Sequence, residues 1–187
     1  TMLDNSPFQA QEVIDNKEFT SDFWAEWSAL GRAKALPGAM EFSRFCDSLG
    51  VTLFYISNRK TNEQESTIRN LDSLGFAFAK PEYLLLKENE SSKKTRREKV
   101  SAEYDIVMLV GDNLNDFSEV FESRGDDWGV SLVEQYRCEF GYRYIILPNP
   151  MYGEWEKSVY KTRDLTPEQK RELRLKALKG FNWIQCK

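Results

Sequence analysis

The stretch Ile106-Val107-Met108-Leu109-Val110-Gly111-Asp112-Asn113-Leu114-Asn115-Asp116-Phe117 constrains the fold more than any other part of the chain. Five consecutive apolar residues, β-branched at both ends of the run, predict a strand buried on both faces. Gly111 ends the run and lets the backbone turn, and Asp112 and Asp116 follow four residues apart at a predicted helix start. In open α/β sheets ligands gather where strands end in such turns. Two carboxylates placed together there repel one another unless a cation lies between them. Carboxylate oxygens are hard ligands, so Mg²⁺ is the ion such a pair selects. The competing reading needs no ligand: Asp112 ends the strand and Asp116 interacts with a helix N-terminus.

The chain has 187 residues, 41% of them hydrophobic and 13% aromatic, enough for one α/β core and against wholesale disorder. A net charge of −4 argues against a nucleic-acid polymer as partner, because neutralising phosphates takes a basic surface. No apolar run approaches the ~20 residues of a membrane helix. There is no histidine. Ser-His-Asp and Cys-His catalysis and histidine metal sites within this chain are therefore excluded, leaving acid–base work to carboxylates, lysine or tyrosine. Cys46, Cys138 and Cys186 are widely spaced, which fits no zinc motif; buried thiols are the default and one disulfide stays open.

Residues 9–36 carry Phe19, Phe23, Trp24, Trp27 and Leu30 among polar residues, and Phe23, Trp27 and Leu30 follow a helical stripe that Ser21 or Asp22 caps. This predicts a short helical cap over a site. Pro37-Gly38 opens a helix with Phe42, Phe45, Cys46 and Leu49 on one face, closed by Gly50. Residues 51–56 form a β-prone run that stops on the polar loop Ser57-Asn58-Arg59-Lys60. Thr61-Asn62-Glu63-Gln64 has capping-box form before a helix ended by Gly75. Residues 83–86 predict a short strand, and the dense charge over 87–99 predicts a solvated helix face with room for one inward lysine. Residues 117–141 read as helix and loop, 142–147 as a strand, 151–155 as an aromatic loop, and Thr166-Pro167-Glu168-Gln169 caps a charged C-terminal helix. With no repeat or linker, the simplest division is one domain over 1–187, with a cap at about 9–36 and a helical extension at about 156–187.

In a parallel sheet the C-terminal strand ends share one edge, so Ser57, a lysine of the charged run, Asp112 and Asp116 converge there. A hydroxyl and backbone N–H groups bind phosphate oxygens, lysine adds a point charge, and carboxylates with Mg²⁺ leave an electrophilic phosphorus. What is missing is a nucleophile, for which an aspartate forming an acyl-phosphate is the natural choice without histidine.

These residues resemble the haloacid-dehalogenase superfamily of phosphatases and, within it, the bacterial class C acid phosphatases with their four-aspartate signature. The first block of that family reads D-x-D-E-T-[VM]-L-x-[NT]-x-x-Y, and Thr1-Met2-Leu3-Asp4-Asn5-Ser6-Pro7-Phe8 follows it from the threonine onward. The second block ends G-D-x-x-x-D-F, matched by Gly111 to Phe117. Ser57-Asn58-Arg59-Lys60 is similar to the Thr-Asn-Arg-Lys phosphate loop, and Leu147-Pro148-Asn149 with Tyr152, Gly153 and Trp155 to the late aromatic segment. Two departures stand out: Phe8 replaces a tyrosine, and the first-block aspartates would precede Thr1.

The resemblance implies an α/β fold, a Rossmann-like three-layer core with a parallel sheet and small helical cap. It implies a Mg²⁺-dependent hydrolase of small phosphomonoesters, nucleoside or nicotinamide 5′-monophosphates above all. The reaction would pass through an aspartyl-phosphate whose nucleophile lies upstream of Thr1, so that 1–187 alone is expected to be inert. Asp112 is then a metal ligand, and Asp116 a ligand or the holder of metal-bound water. Ser57 and Asn58 bind the phosphoryl group and Lys93 bridges it, with Lys94 as the alternative. Trp24, Tyr152 and Phe8 are the stacking aromatics, each of which equally suits core packing; Arg59 contacts substrate or pairs with a carboxylate. The resemblance also implies a bacterial cell-envelope protein, an outer-membrane lipoprotein or periplasmic, touching membrane only through a lipid anchor outside this chain. A homodimer stays open. The rival readings are a non-catalytic ligand-binding or surface-interaction protein on the same scaffold, and a phosphotransferase of the same superfamily.

Overall fold

The structure, a computed structural model, describes residues 1–160, 162 and 165–180. Its strands form pairs. Strand β3 (Tyr55–Lys60) runs parallel to β4 (Leu84–Lys87), and β5 (Leu109–Gly111) parallel to β6 (Tyr144–Ile146). The short β1 (Leu3–Asp4) and β2 (Lys34–Ala35) pair antiparallel. Helices α1 (Ser6–Ile14) and α2 (Ser21–Leu30) lie between β1 and β2, α3 (Ala39–Ser48) precedes β3, and α4 (Gln64–Ser73) and α5 (Lys94–Ser101) follow β3 and β4. After β5 come two 3₁₀ turns, Leu114–Asp116 and Glu119–Glu122, then α6 (Val130–Gln135), β6, α7 (Glu156–Tyr160) and α8 (Pro167–Ala177). Parallel pairs linked through helices define an α/β, Rossmann-like fold. No helix among the described residues is long and apolar enough to cross a membrane.

The main core gathers Ala39, Tyr55, Leu71, Phe76, Leu84 and Leu86, joining α3 and α4 to β3 and β4. A second, aromatic core stacks Phe117 on Tyr144 at 5.0 Å with Phe140 edge-on to both, and so fastens the segment after β5 to β6. A third unites Phe8, Phe19, Phe23 and Trp24 within the α1–α2 segment. Asn70 pins that segment's return to α4: its amide accepts from Ala33 N at 3.1 Å and donates to Ala33 O at 2.9 Å.

Several expectations from the sequence change here. The strand at 106–110 shrinks to Leu109–Gly111, and Val107 and Met108 are 62% and 43% exposed rather than buried on both faces. Pairing on this side begins only where β6 begins, so the upstream residues gain no ladder and no cover. Strand β3 starts four residues later than the β-prone run and takes in Ser57–Lys60, so the polar tetrad is strand, not loop. Thr20 rather than Ser21 or Asp22 caps α2, its hydroxyl accepting from Phe23 N at 3.1 Å. On α3 the buried face is Ala39, Ser43 and Cys46, while Phe45 and Leu49 face solvent. The small side chains let residue 77 approach, and the Ser43 hydroxyl accepts Ala77 N at 3.2 Å. Cys46 and Cys138 are free thiols; Cys186 lies outside the described residues.

Candidate active site

Asp112 stands immediately beyond β5, and its turn is fixed by its own neighbours. The Asp116 Oδ2 accepts from Asp112 N at 3.1 Å and Asn113 N at 3.2 Å, folding the carboxylate back under the strand end. The Asn113 side chain accepts from Asn115 N at 3.3 Å, so a 3₁₀ turn forms where a helix start was expected. Gly111 is needed for a reason other than turning, since its φ is not among the positive values. A Cβ there would lie 2.5 Å from the Asp116 Cβ and 2.6 Å from its Oδ2. Only a residue without a side chain lets that carboxylate close in.

The other Asp116 oxygen, Oδ1, meets Lys93 Nζ at 2.8 Å, with both side chains largely shielded. Of the two lysines weighed, Lys93 is thus the inward one, while Lys94 reaches Glu119 at 3.4 Å on the surface. The two Asp112 oxygens take neutral donors: the Thr1 hydroxyl at 3.2 Å and the Asn149 amide at 2.7 Å. Asp116 is therefore spent on lysine and backbone, whereas Asp112 has no cationic partner among the described residues. Among the described residues no group of three or more His, Cys, Asp or Glu side chains is assembled. One charge-bearing carboxylate still fits Mg²⁺, which keeps most of its waters and takes one or two carboxylates together with substrate phosphate.

Ser57 and Asn58 stand on β3 and are tied through Arg96 of α5 to the turn that precedes Lys93. The Ser57 hydroxyl accepts from Arg59 N at 3.2 Å, which leaves its own hydrogen to donate. Asn58 is exposed. Arg96 crosses from α5, donating to Ser57 O at 2.6 Å, to Asn58 Oδ1 at 2.8 Å and to Ser92 O at 2.7 Å, next to Lys93. Arg97, the next residue, donates to Asn115 O and Asp116 O at 3.4 and 3.3 Å and pairs with Glu119 at 3.2 Å. Both are buried, so the charged run is not simply a solvated helix face. Helix α5 presents one arginine to the Ser57 strand and the other to the Asp116 turn. A third, Arg124, braces the turn through the Asn113 and Asn115 side chains at 2.7 and 2.6 Å.

Trp24, half-buried, and Tyr152, 41% exposed, form the aromatic side. Burial pushes the Tyr152 phenol above its ordinary value and the Asp112 carboxylate adds to this, while Asn149 and Asn5 pull the other way. The phenol thus lies within electrostatic reach of Asp112. Asn149 places it: its Oδ1 accepts from Met151 N and Tyr152 N at 3.2 and 3.3 Å while its amide holds Asp112.

Two expected substrate contacts lie elsewhere. Phe8 is 1% exposed and packs against Phe23 and Trp24, both at 5.1 Å, so its ring supports Trp24 from inside. Arg59 is turned inward as well. Its guanidinium donates to Thr67 Oγ1 at 3.0 Å and Ser28 Oγ at 3.3 Å, and it sits 5.4 Å from the Trp24 ring. Burial lowers its pKa, with Glu63 opposing, but an arginine remains a cation. Sequence reading missed Asn149, Arg96, Arg97 and Arg124. The spacing Lys93-x-x-Arg96-Arg97, three and four residues apart on one helix face, is the signal that points to two of them.

The fold and this edge define a phosphatase-type α/β protein. A family model described as the haloacid-dehalogenase (HAD) superfamily, subfamily IIIB (acid phosphatase) matches residues 1–155, so the chain belongs to that family. It is similar to the class C acid phosphatase from Bacillus anthracis, with 39% identity over 97% of this chain and 77% of that one, at a TM-score of 0.85. A second structure of the Bacillus anthracis enzyme, with tungstate bound, matches at a TM-score of 0.88 with the same identity and coverage. Membership of this family supports a phosphatase function, and phosphatases of this superfamily generally use a divalent metal.

Proposed function

We propose that the protein is a Mg²⁺-dependent acid phosphatase that hydrolyses small phosphomonoesters, preferring nucleoside or nicotinamide 5′-monophosphates. The observation that carries this is the linkage, through α5, of the Ser57–Asn58 donors to the Lys93–Asp116 pair, beside an Asp112 carboxylate with no cationic partner among the described residues. The Ser57 hydroxyl and Asn58 amide bind phosphoryl oxygens. Asp116 holds Lys93 where its ammonium can offset the phosphoryl charge. Asp112 would hold the cation, which supplies Lewis-acid compensation of the phosphoryl group when bound. That the related Bacillus anthracis enzyme is found with tungstate bound, a tetrahedral oxyanion, supports an oxyanion as the kind of group this protein takes.

In this reading an aspartate outside residues 1–187 attacks phosphorus, a second protonates the leaving oxygen, and water then hydrolyses the aspartyl-phosphate. Asp116 is engaged by Lys93 and two backbone N–H groups and Asp112 is assigned to the cation, so in this reading neither is the nucleophile. Trp24 and Tyr152 flank the site as stacking surfaces for a nucleobase or pyridine ring. Envelope localisation through a lipid anchor belongs to the same reading and rests on the family resemblance.

The test is phosphate release from nucleoside 5′-monophosphates by the full-length protein with and without Mg²⁺. The expected result is metal-dependent turnover that falls about 10²–10³-fold in Asp112→Asn, of the order seen when a key charge-stabilising group is removed. Turnover unaffected by chelation and by Asp112→Asn overturns the reading.

A further inference from the structure

Arg96 is 8% exposed, yet among the described residues it forms no salt bridge. Its guanidinium is satisfied by neutral acceptors: Ser57 O, Asn58 Oδ1, Ser92 O, and at longer range Ser91 O at 3.3 Å and Glu90 O at 3.5 Å. The Glu90 carboxylate accepts from the Thr95 hydroxyl instead. The adjacent Arg97 does have an acid partner, Glu119. Burying a cation costs desolvation that a directly paired carboxylate ordinarily offsets; Glu90 and Glu88 act on Arg96 only from beyond contact, and its direct partners are all neutral.

The geometry gives that charge a task. Asn58 is exposed, and its Oδ1 is the oxygen that Arg96 engages. An amide has one acceptor end and one donor end, so pinning Oδ1 orients Nδ2 outward. Among the described residues Nδ2 donates to nothing within the protein. The same guanidinium holds the Ser57 carbonyl and the turn at Ser92, one residue before Lys93.

We propose that Arg96 is a positioning residue of the phosphoryl site: it selects the Asn58 rotamer that offers an N–H to the phosphoryl oxygen, and it sets the spacing between the Ser57–Asn58 donors and Lys93. This rests on the phosphatase reading. A bound phosphoryl dianion then adds to the charge that Glu90 and Glu88 supply only from a distance, acting through one intervening amide. Lysine cannot replace it, because an ammonium is a point donor and cannot span a carbonyl and an amide oxygen held in a planar fork.

The test uses the full-length protein with p-nitrophenyl phosphate, in a double-mutant cycle of Arg96→Ala and Asn58→Ala, with Arg96→Lys as the variant that keeps the charge. Arg96→Ala is expected to lower kcat/KM about a hundredfold, the scale of a roughly 1 Å misplacement, and Arg96→Lys at least about tenfold. The two alanine changes together are expected to cost no more than the larger alone, because one acts through the other. Added guanidinium ion is expected to restore part of the Arg96→Ala loss where ammonium does not. An additive cycle, or Arg96→Lys with wild-type constants, overturns the proposal.

A measurement on the unmutated protein covers the case in which the variants do not fold. The Asn58 side-chain amide resonance is expected to shift on adding inorganic phosphate, and an unmoved resonance overturns the proposal. A wild-type protein that shifts this resonance with phosphate but hydrolyses nothing sinks the phosphatase reading while leaving the positioning role supported. An active wild type with an unmoved resonance does the reverse.

Discussion

The two sides of the candidate site are held by different forces. The phosphoryl side is a lattice of directional contacts in which Arg96, Arg97 and Arg124 reach backbone carbonyls and amide oxygens at 2.6–3.4 Å. The aromatic side is carried by Phe8, Phe19, Phe23 and Trp24, packed edge-on or tilted without a fixed partner atom. Hydrogen bonds lose most of their value within a fraction of an ångström or a few tens of degrees, whereas ring contacts decline gradually. In the proposed reading, reaction geometry then falls on the stiff side and ligand recognition on the accommodating one. Changes on the first side should alter rate while leaving the fold intact; changes on the second should alter stability and substrate choice.

The largest effect expected from that contrast is at Lys93. Replacing it with methionine keeps the stem but leaves Asp116 Oδ1 without its cation, and kcat in the full-length protein should fall about 10²–10³-fold, with a smaller loss of stability from the unpaired carboxylate. A melting temperature that drops while kcat persists would break the comparison. Next comes Phe8→Ala, which empties the most buried ring of the α1–α2 segment and should cost about 3–5 kcal/mol in denaturant unfolding, with kcat for a small aryl phosphate changing far less.

Trp24→Ala should act more mildly and selectively. It should raise KM for nucleoside monophosphates about tenfold, in keeping with the ~1–3 kcal/mol of a base–aromatic stack, and leave p-nitrophenyl phosphate nearly unchanged. Equal losses on both substrates would make Trp24 a packing residue only.

The smallest effect concerns Glu12, whose carboxyl is pushed up by burial and further by Glu156 and Glu18, and whose Oε1 has no partner among the described residues. Its charged form is disfavoured in the fold, so the penalty is present at neutral pH. It disappears as pH falls through the raised folded value to below the ordinary 4.5. Glu12→Gln should therefore raise the melting temperature at pH 7 by up to about 3 °C and by nothing at pH 4. A gain that is the same at both pH values would show that ionisation is not its source.

What the sequence disclosed follows the same divide. The blocks around Gly111–Asp116 and Ser57–Lys60 were legible because they are written in consecutive residues, and the family and fold class came with them, although the tetrad proved to be strand rather than loop. Their surroundings were not. Arg96 and Arg97 sit in a run whose composition predicts solvent, and only the direction of the helix decides that both turn inward. Phe8 and Arg59 carried the right chemistry for substrate contact, but tertiary packing put one inside the α1–α2 segment and the other beneath Trp24. The exposed Val107 and Met108 failed a local rule because strand burial depends on which neighbours are paired, and periodicity carries no information about that.

Gly111 has a consequence for how this protein can vary. An added methyl at position 111 and the carboxylate at position 116 claim the same volume. Neither site can drift alone: alanine at 111 evicts the group that orients Lys93, and a shorter acceptor at 116 leaves two backbone N–H donors and an ammonium unserved. Variation can pass through this corner only as a coordinated exchange, so the pair behaves as a single heritable character spread over two codons.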